Sequence, residues 1–275
     1  MSSILKVLGF LALTSVALQA AEPVAKDILS AALSKMSGAT SFIGTSKSEK
    51  TVGKYDITTE EEIYQRADPD GTKLQRIETT CQMIGKDGGV VRSFVICAII
   101  NRGGSWLVDD KKKQAIHFSG LSTISQGMGE VSSSIGQNNN NSSLDLAETT
   151  LPSGVQCYKI SMHLNLDADT QQTLKGSIQK TQATLFPEKT TDNAPPKDPP
   201  VIPLPGVVVY YIGKNDSLIW GKEMFSTVGD KMSSCIYSTL NVNVPVEDSL
   251  FEVPRGYTQS TSDSMQDLFH KAITK

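Results

Sequence analysis

Along most of this chain apolar and polar residues alternate with a period of two, the signature of strands that set one face on a core and the other in water. One early stretch breaks the pattern. Val24, Ile28, Leu29, Ala32, Leu33 and Met36 recur at helical spacing between Pro23 and Gly38, which predicts a single amphipathic helix over Val24–Met36. From Phe42 onward the period is two, with turn signals at Asp68-Pro69-Asp70-Gly71, Gly85 to Gly89, Asn101-Arg102-Gly103-Gly104, Gly213-Lys214-Asn215-Asp216 and Gly229-Asp230. Turns this close join antiparallel strands, since parallel neighbours need long crossovers. The clearest strand is Gln156 to Leu166, where Tyr158, Ile160, Met162, Leu164 and Leu166 share an apolar face. The expected class is mainly β (α+β): an antiparallel sheet with the N-terminal helix against it.

Three segments interrupt the meander. Leu121 to Leu151 is rich in Ser and Gly and holds Asn138 to Asn141; Asp167 to Leu185 reads as a polar helix capped by Asp167 or Asp169; Phe186 to Gly206 carries seven prolines and predicts an extended connector. We read these as insertions, at about 121–151 and 167–206, into a single domain spanning 21–275. Ser262 to Ile273 has the apolar spacing of a short terminal helix.

The first twenty residues stand apart. Lys6 precedes the apolar run Val7 to Leu18 and then Ala20-Ala21, the pattern of a secretory signal peptide over residues 1–20, with an uncleaved anchor as the alternative. Export out of the cytoplasm permits disulfides. The four cysteines allow three connectivities. Cys81 and Cys97 flank the Gly85–Gly89 turn on neighbouring strands, and Cys157 and Cys235 each lie on the more polar face of a strand, so the expected bridges are Cys81–Cys97 and Cys157–Cys235; buried free thiols are the alternative.

Composition narrows function by exclusion. Lys and Arg number 26 against 29 Asp and Glu in 275 residues, and the longest basic run is Lys111-Lys112-Lys113, so the clustered cations of a nucleic-acid binder are missing. There is no His-Glu-x-x-His, no Gly-x-Ser-x-Gly and no phosphate-binding Gly-x-x-x-x-Gly-Lys-Ser/Thr loop. Gly127-Met128-Gly129 has Ser132 where a dinucleotide loop needs its third glycine. His117, His163 and His270 read as surface residues. Asp109-Asp110 and Glu60-Glu61-Glu62 are neighbours that strand alternation sends to opposite faces. These absences favour a non-enzyme without metal or cofactor. A sheet curving around the helix would instead enclose an apolar cavity.

Several segments carry a resemblance. Val207 to Leu218, the Gly229-Asp230 hairpin, Asn241-Val242-Asn243-Val244-Pro245-Val246 and Leu250-Phe251-Glu252-Val253-Pro254-Arg255-Gly256-Tyr257 follow one another in an order that resembles the end of the periplasmic outer-membrane lipoprotein carriers, LolA-like. Gly103-Gly104-Ser105-Trp106-Leu107-Val108-Asp109-Asp110 and Ser41-Phe42 are similar to that family's tryptophan strand and first-strand entry. The resemblance implies a strongly curved antiparallel sheet, an incomplete barrel wrapped over the N-terminal helix, whose cavity takes acyl chains. It implies partners as well: an acylated lipoprotein or lipid, an inner-membrane transporter and an outer-membrane acceptor. The family's lid-holding arginine has its nearest match in Arg66. The four cysteines, the long insertions and Ser46, where the family often has an aromatic residue, depart from the pattern.

The leading expectation is a periplasmic carrier for acylated cargo, lined by Phe42, Arg66, Trp106, Ile160, Met162, Leu164, Trp220, Ile236 and Leu240. An envelope sensor or interaction protein on the same scaffold and a hydrolase with a dispersed site are the alternatives.

Overall fold

The computed structural model describes residues 24–52, 55–85, 87–118, 142–172, 176 and 203–262. Helix α1 spans 24–37. The strands are β1 (Ser41–Val52), β2 (Tyr55–Ala67), β3 (Lys73–Ile84), β4 (Val90–Asn101), β5 (Gly104–Asp109), β6 (Gln114–Phe118), β7 (Ser143–Thr150), β8 (Gln156–His163), β9 (Pro205–Gly213), β10 (Ile219–Ser226), β11 (Lys231–Val242) and β12 (Thr258–Ser262), with a 3₁₀ turn at Asp248–Phe251. They form one open sheet in the order β12-β6-β5-β4-β3-β2-β1-β11-β10-β9-β8-β7. Every pair is antiparallel except β12 with β6. The mainly β class, the unclosed sheet and the N-terminal helix are as the sequence predicts.

The helix buries a narrower stripe than its periodicity suggests. Ala25, Leu29 and Ala32 are buried, while Val24 and Leu33 stay about half exposed, at 49% and 46%. The two alanines let the helix backbone approach the sheet closely, over Ile160 and Ile212, with Leu144, Leu146, Tyr158, Tyr210 and Ile219 around them. At the helix end Met36 joins Phe42, Leu218 and Leu240. Gly38 stops the helix by donating its N–H to the Ser34 carbonyl at 3.0 Å, and Lys35 Nζ donates to the Asp216 carbonyl at 2.7 Å, pinning the helix to the β9–β10 turn.

The helix therefore covers β7–β11 and β1, not the whole sheet. The other half is covered from the opposite side. After β11, Asn243 takes a left-handed φ of 57°, a conformation Asn tolerates better than most residues. Its side-chain Oδ1 accepts from Thr40 N at 2.9 Å. The chain then runs as a strap, residues 243–257, across β1–β5 to β12. Val246 and Phe251 pack on Leu74, with Ile43 and Tyr64 beside them, and Val253 and Tyr257 pack on Cys97, Ile99, Val108 and Ala115. On β1 the neighbours Phe42 and Ile43 thus serve clusters on opposite faces.

Two expectations are corrected. All four cysteines are free. Cys81 pairs with Phe94 and Cys97 with Glu78, so the two are three positions out of register and project from opposite faces. Between Cys157 on β8 and Cys235 on β11 lie β9 and β10, a separation of about 14 Å at ~4.8 Å per strand step, far beyond disulfide reach. The segment 121–151 is also not wholly an insertion, because its end is strand β7. Likewise Leu164 and Leu166 lie past the end of β8 at His163, and Pro205 and Gly206 already belong to β9. Asp167 does cap a helical segment: Thr170 N donates to its Oδ1 at 2.7 Å, and that bond holds the carboxyl below its ordinary pKa. Residues 1–20, the Asn-rich stretch, most of the proline-rich connector and the tail helix lie outside the described residues.

Candidate functional site

The helix side of the sheet carries one continuous apolar row. Following direct cross-strand partners, Leu240 on β11 faces Gly44, Gly44 faces Ile63, Ile63 faces Ile77, Ile77 faces Ala98, Ala98 faces Leu107 and Leu107 faces Ile116. Directly opposed residues share a face, so these side chains form one stripe. From Ile63 to Ile116 it crosses four strand steps, about 19 Å at ~4.8 Å each. Ile63, Ile77, Ala98, Leu107 and Ile116 are all half-buried, and among the described residues only Ile63 of these belongs to a core cluster. The rows on either side of the stripe mix polar and apolar residues. One flanking row runs Phe42, Gln65, Gln75, Ile100, Ser105 and Phe118; the other runs Ser46, Glu61, Thr79 and Ile96.

This face is desolvated although it is not sealed. Burial alone pushes the Glu61 carboxyl up, the Lys222 ammonium down and the Tyr210 hydroxyl up. Tyr237 is raised chiefly by burial and further by the negative charges of Cys235 and Glu61. All of these groups remain partly accessible. All four belong to the helix side.

The strap side differs. A cavity of about 670 Å³ lies between the strap and the β2–β5 ends, lined by Arg66, Leu74, Asn101, Arg102, Trp106 and Phe251 among others. Its charges cancel in pairs. Arg66 meets Asp68 at 3.1 Å and also meets Asp248, its Nη1 donates to the Val246 carbonyl at 2.9 Å, and its guanidinium lies 5.5 Å from the Phe251 ring centre. Arg102 meets the same Asp68 at 2.8 Å. Hydrogen bonds and these carboxylates raise the Arg66 pKa further, so the group is a permanent cation that holds the strap. The arginine expected to hold a lid thus holds the C-terminal strap, and not the helix.

The expected lining residues do not share one cavity. Phe42, Leu240 and Trp220 meet in the cluster under Met36, and Trp220 Nε1 donates to Asp216 Oδ2 at 2.9 Å, serving the β9–β10 turn. Ile160 is the floor under the helix, with buried Met162 on the same strand face. Leu164 follows the end of β8, its N–H bonded to the Gly206 carbonyl at 2.8 Å. Ile236 lies across from Gly221, where an added Cβ would stand 2.5 Å from its Cδ1. That contact puts Ile236 on the solvent side with Tyr211, because β11 changes faces at the register shift opposite Thr45 and Ser46. Arg66 and Trp106 are on the strap side, where Trp106 stacks on His117 with ring centres 4.7 Å apart. His163 is a surface residue bonded to Asp145 at 2.7 Å.

Ile77, Leu107, Ile116, Glu61 and Lys222 were not expected at a site. Glu61 was visible in part: Ile57, Thr59, Glu61 and Ile63 are alternate residues of one strand, which sets a carboxylate between Ile57 and Ile63 on one face. Lys222 was not, because a register shift between Ile219 and Gly221 decides its face.

No family model matches the sequence, and no curated protein matches it. Among solved structures the chain is similar to MucB, at 13% identity over 83% of this chain and 64% of that one with a TM-score of 0.41, so it spans less than two thirds of MucB. It is similar to LprF from Mycobacterium bovis, at 11% identity over 86% and 98% of the two chains with a TM-score of 0.47, and to a conserved protein from Thermus thermophilus, at 12% over 87% and 99% with a TM-score of 0.42. None of these likenesses assigns a family or a function to this chain.

Proposed function

We propose that this protein is an exported, non-enzymatic binding or carrier protein for acylated cargo, and that the stripe from Ile63 to Ile116 receives an acyl chain. The observation that carries the reading is the length and continuity of that stripe: apolar side chains run unbroken for about 19 Å at ~4.8 Å per strand step, half-buried and, apart from Ile63, outside the core clusters, with polar residues such as Glu61, Gln65, Gln75 and Thr79 among their flanking neighbours. A single leaflet's acyl chains span about 15 Å, so one extended chain fits the length. Each CH₂ taken from water contributes about 0.8 kcal/mol, which retains a chain without any polar contact. No helix among the described residues is long and apolar enough to cross a membrane.

The test is binding of a fluorescent fatty acid to the purified protein. Ile77→Asp and Leu107→Asp place a charge on the stripe at half-buried positions, so the expected outcome is a tenfold or greater loss of affinity with the melting transition retained. Unchanged binding in both variants, or no stoichiometric lipid in an organic extract of protein taken from its native envelope, refutes the proposal.

A further inference from the structure

Beside the stripe lies a polar cluster that the fold leaves incomplete. Ser46 is directly flanked by Glu61 on β2 and by Tyr237 on β11. One row further along the same face, Ser48 faces Cys235, Cys235 faces Lys222 and Lys222 faces Tyr210. Ser46 is only 2% exposed, and its hydroxyl oxygen is buried with no hydrogen-bond partner. Such atoms are rare, because a buried polar group almost always finds a partner.

The charges beside it are also unanswered. Glu61 and Lys222 carry opposite charge, both are desolvated, and among the described residues neither has an ion-pair partner. They do not neutralise each other: Glu61 stands on β2 and Lys222 on β10, three strand steps apart with β1 and β11 between them, about 14 Å between backbones. Lys222 Nζ instead sits 5.6 Å from the Tyr210 ring centre. A desolvated carboxylate and a desolvated ammonium held apart, with an orphaned hydroxyl between, match a guest that carries both signs of charge at a fixed separation. A purely anionic guest would leave Glu61 opposed, and a purely cationic one would leave Lys222 opposed.

We propose that Ser46, Glu61, Tyr237 and Lys222 seat the zwitterionic head of a lipid-like amphiphile whose acyl chain lies along the adjacent stripe. The head's anion meets Lys222, its cation meets Glu61, and the Ser46 hydroxyl bonds the polar atoms between them once Tyr237 or Glu61 moves aside. This inference rests on the acyl-binding reading and adds the class of head group.

The experiment compares three amphiphiles of equal chain length: lysophosphatidylcholine, a free fatty acid and an alkyltrimethylammonium, each titrated against the wild-type protein and the Glu61→Gln, Lys222→Met and Ser46→Ala variants. The expected result is a tenfold or greater preference of the wild type for lysophosphatidylcholine, a shift toward the fatty acid in E61Q, a shift toward the cation in K222M, and weaker lysophosphatidylcholine binding in S46A. Equal affinity for all three, or affinity ratios unchanged by E61Q and K222M, overturns the head-group site while leaving the stripe in place. No binding of any amphiphile overturns both readings.

Discussion

The helix-covered half of the sheet and the strap-covered half use the same strand pairing but bury opposite faces. Over β7–β11 the apolar face is closed by α1, whose Ala25 and Ala32 permit close contact with Ile160 and Ile212. Over β2–β6 the opposite face is closed by the strap through Leu74, Val246 and Phe251. The contrast shows that one strand can be apolar on both sides: one face packs into a core cluster, while the other stays half-buried and outside it. It also separates electrostatic styles. The strap side pairs its charges at a solvated rim, whereas the helix side keeps Glu61 and Lys222 desolvated and apart.

Breaking the helix half should cost most. Ile160 is fully buried, and Ile160→Ala is expected to destabilise by about 2–5 kcal/mol through lost burial and an unfilled cavity, read as a fall in the chemical-denaturation midpoint. A loss under about 1 kcal/mol would mean that the helix does not close over β8 and β9 as described.

The strap half should break more gently and more locally. Arg66→Ala removes two ion pairs and the bond to the Val246 carbonyl, partly in solvent, so the expected global loss is about 1 kcal/mol. Hydrogen exchange should rise selectively in the strap and β12 while β8 and β9 stay protected. Uniform loss of protection would show that the two halves unfold as one unit.

Two of the thiols are shut away on the face opposite the helix, Cys97 and Cys157. Burial raises Cys97, under the strap, and Cys157, on β8, to about 11, so neither should react with a thiol reagent in the native protein at neutral pH. All four thiols should react after unfolding without reductant. A protein that gains mass only on reduction and alkylation would hold disulfides, against the four free thiols of the structure.

The smallest effect concerns the polar cluster. Glu61 faces Ser46 and Thr79 and has a folded-state pKa above its ordinary 4.5. Its folded form binds a proton more readily than the unfolded chain does. Its contribution is therefore unfavourable above the raised folded value and is relieved as pH falls through that value to below 4.5. Lys222 is the mirror case: its contribution is unfavourable below its lowered folded value and is relieved as pH rises through that value to above 10.5. Glu61→Gln and Lys222→Met should each stabilise the unliganded protein slightly at neutral pH, the exchange of stability for binding common at ligand sites. Destabilisation by both would place these side chains in structural ion pairs.

Local patterns were legible in the sequence. Helix α1, most hairpin turns and the mainly β class follow from periodicity and turn residues, and the Asp167 cap follows from its chemistry. The apolar row was not legible, because its members come from seven strands and only the register aligns them. Register also defeated the cysteine pairing: a three-residue offset put Cys81 and Cys97 on opposite faces. Ile236 was misplaced because alternation was carried across the register shift of β11. Arg66 was found as an anchoring cation, but sequence spacing could not show that its partner is the strap.

The helix-side stripe, and not the strap-side cavity, is proposed to receive the acyl chain. A photoreactive fatty acid bearing a diazirine in its chain, activated in the complex and mapped by tandem mass spectrometry, tests it directly. Adducts on Ile63, Ile77, Leu107 and Ile116 are the predicted result, and adducts on Trp106, Val108 and Phe251 would contradict it.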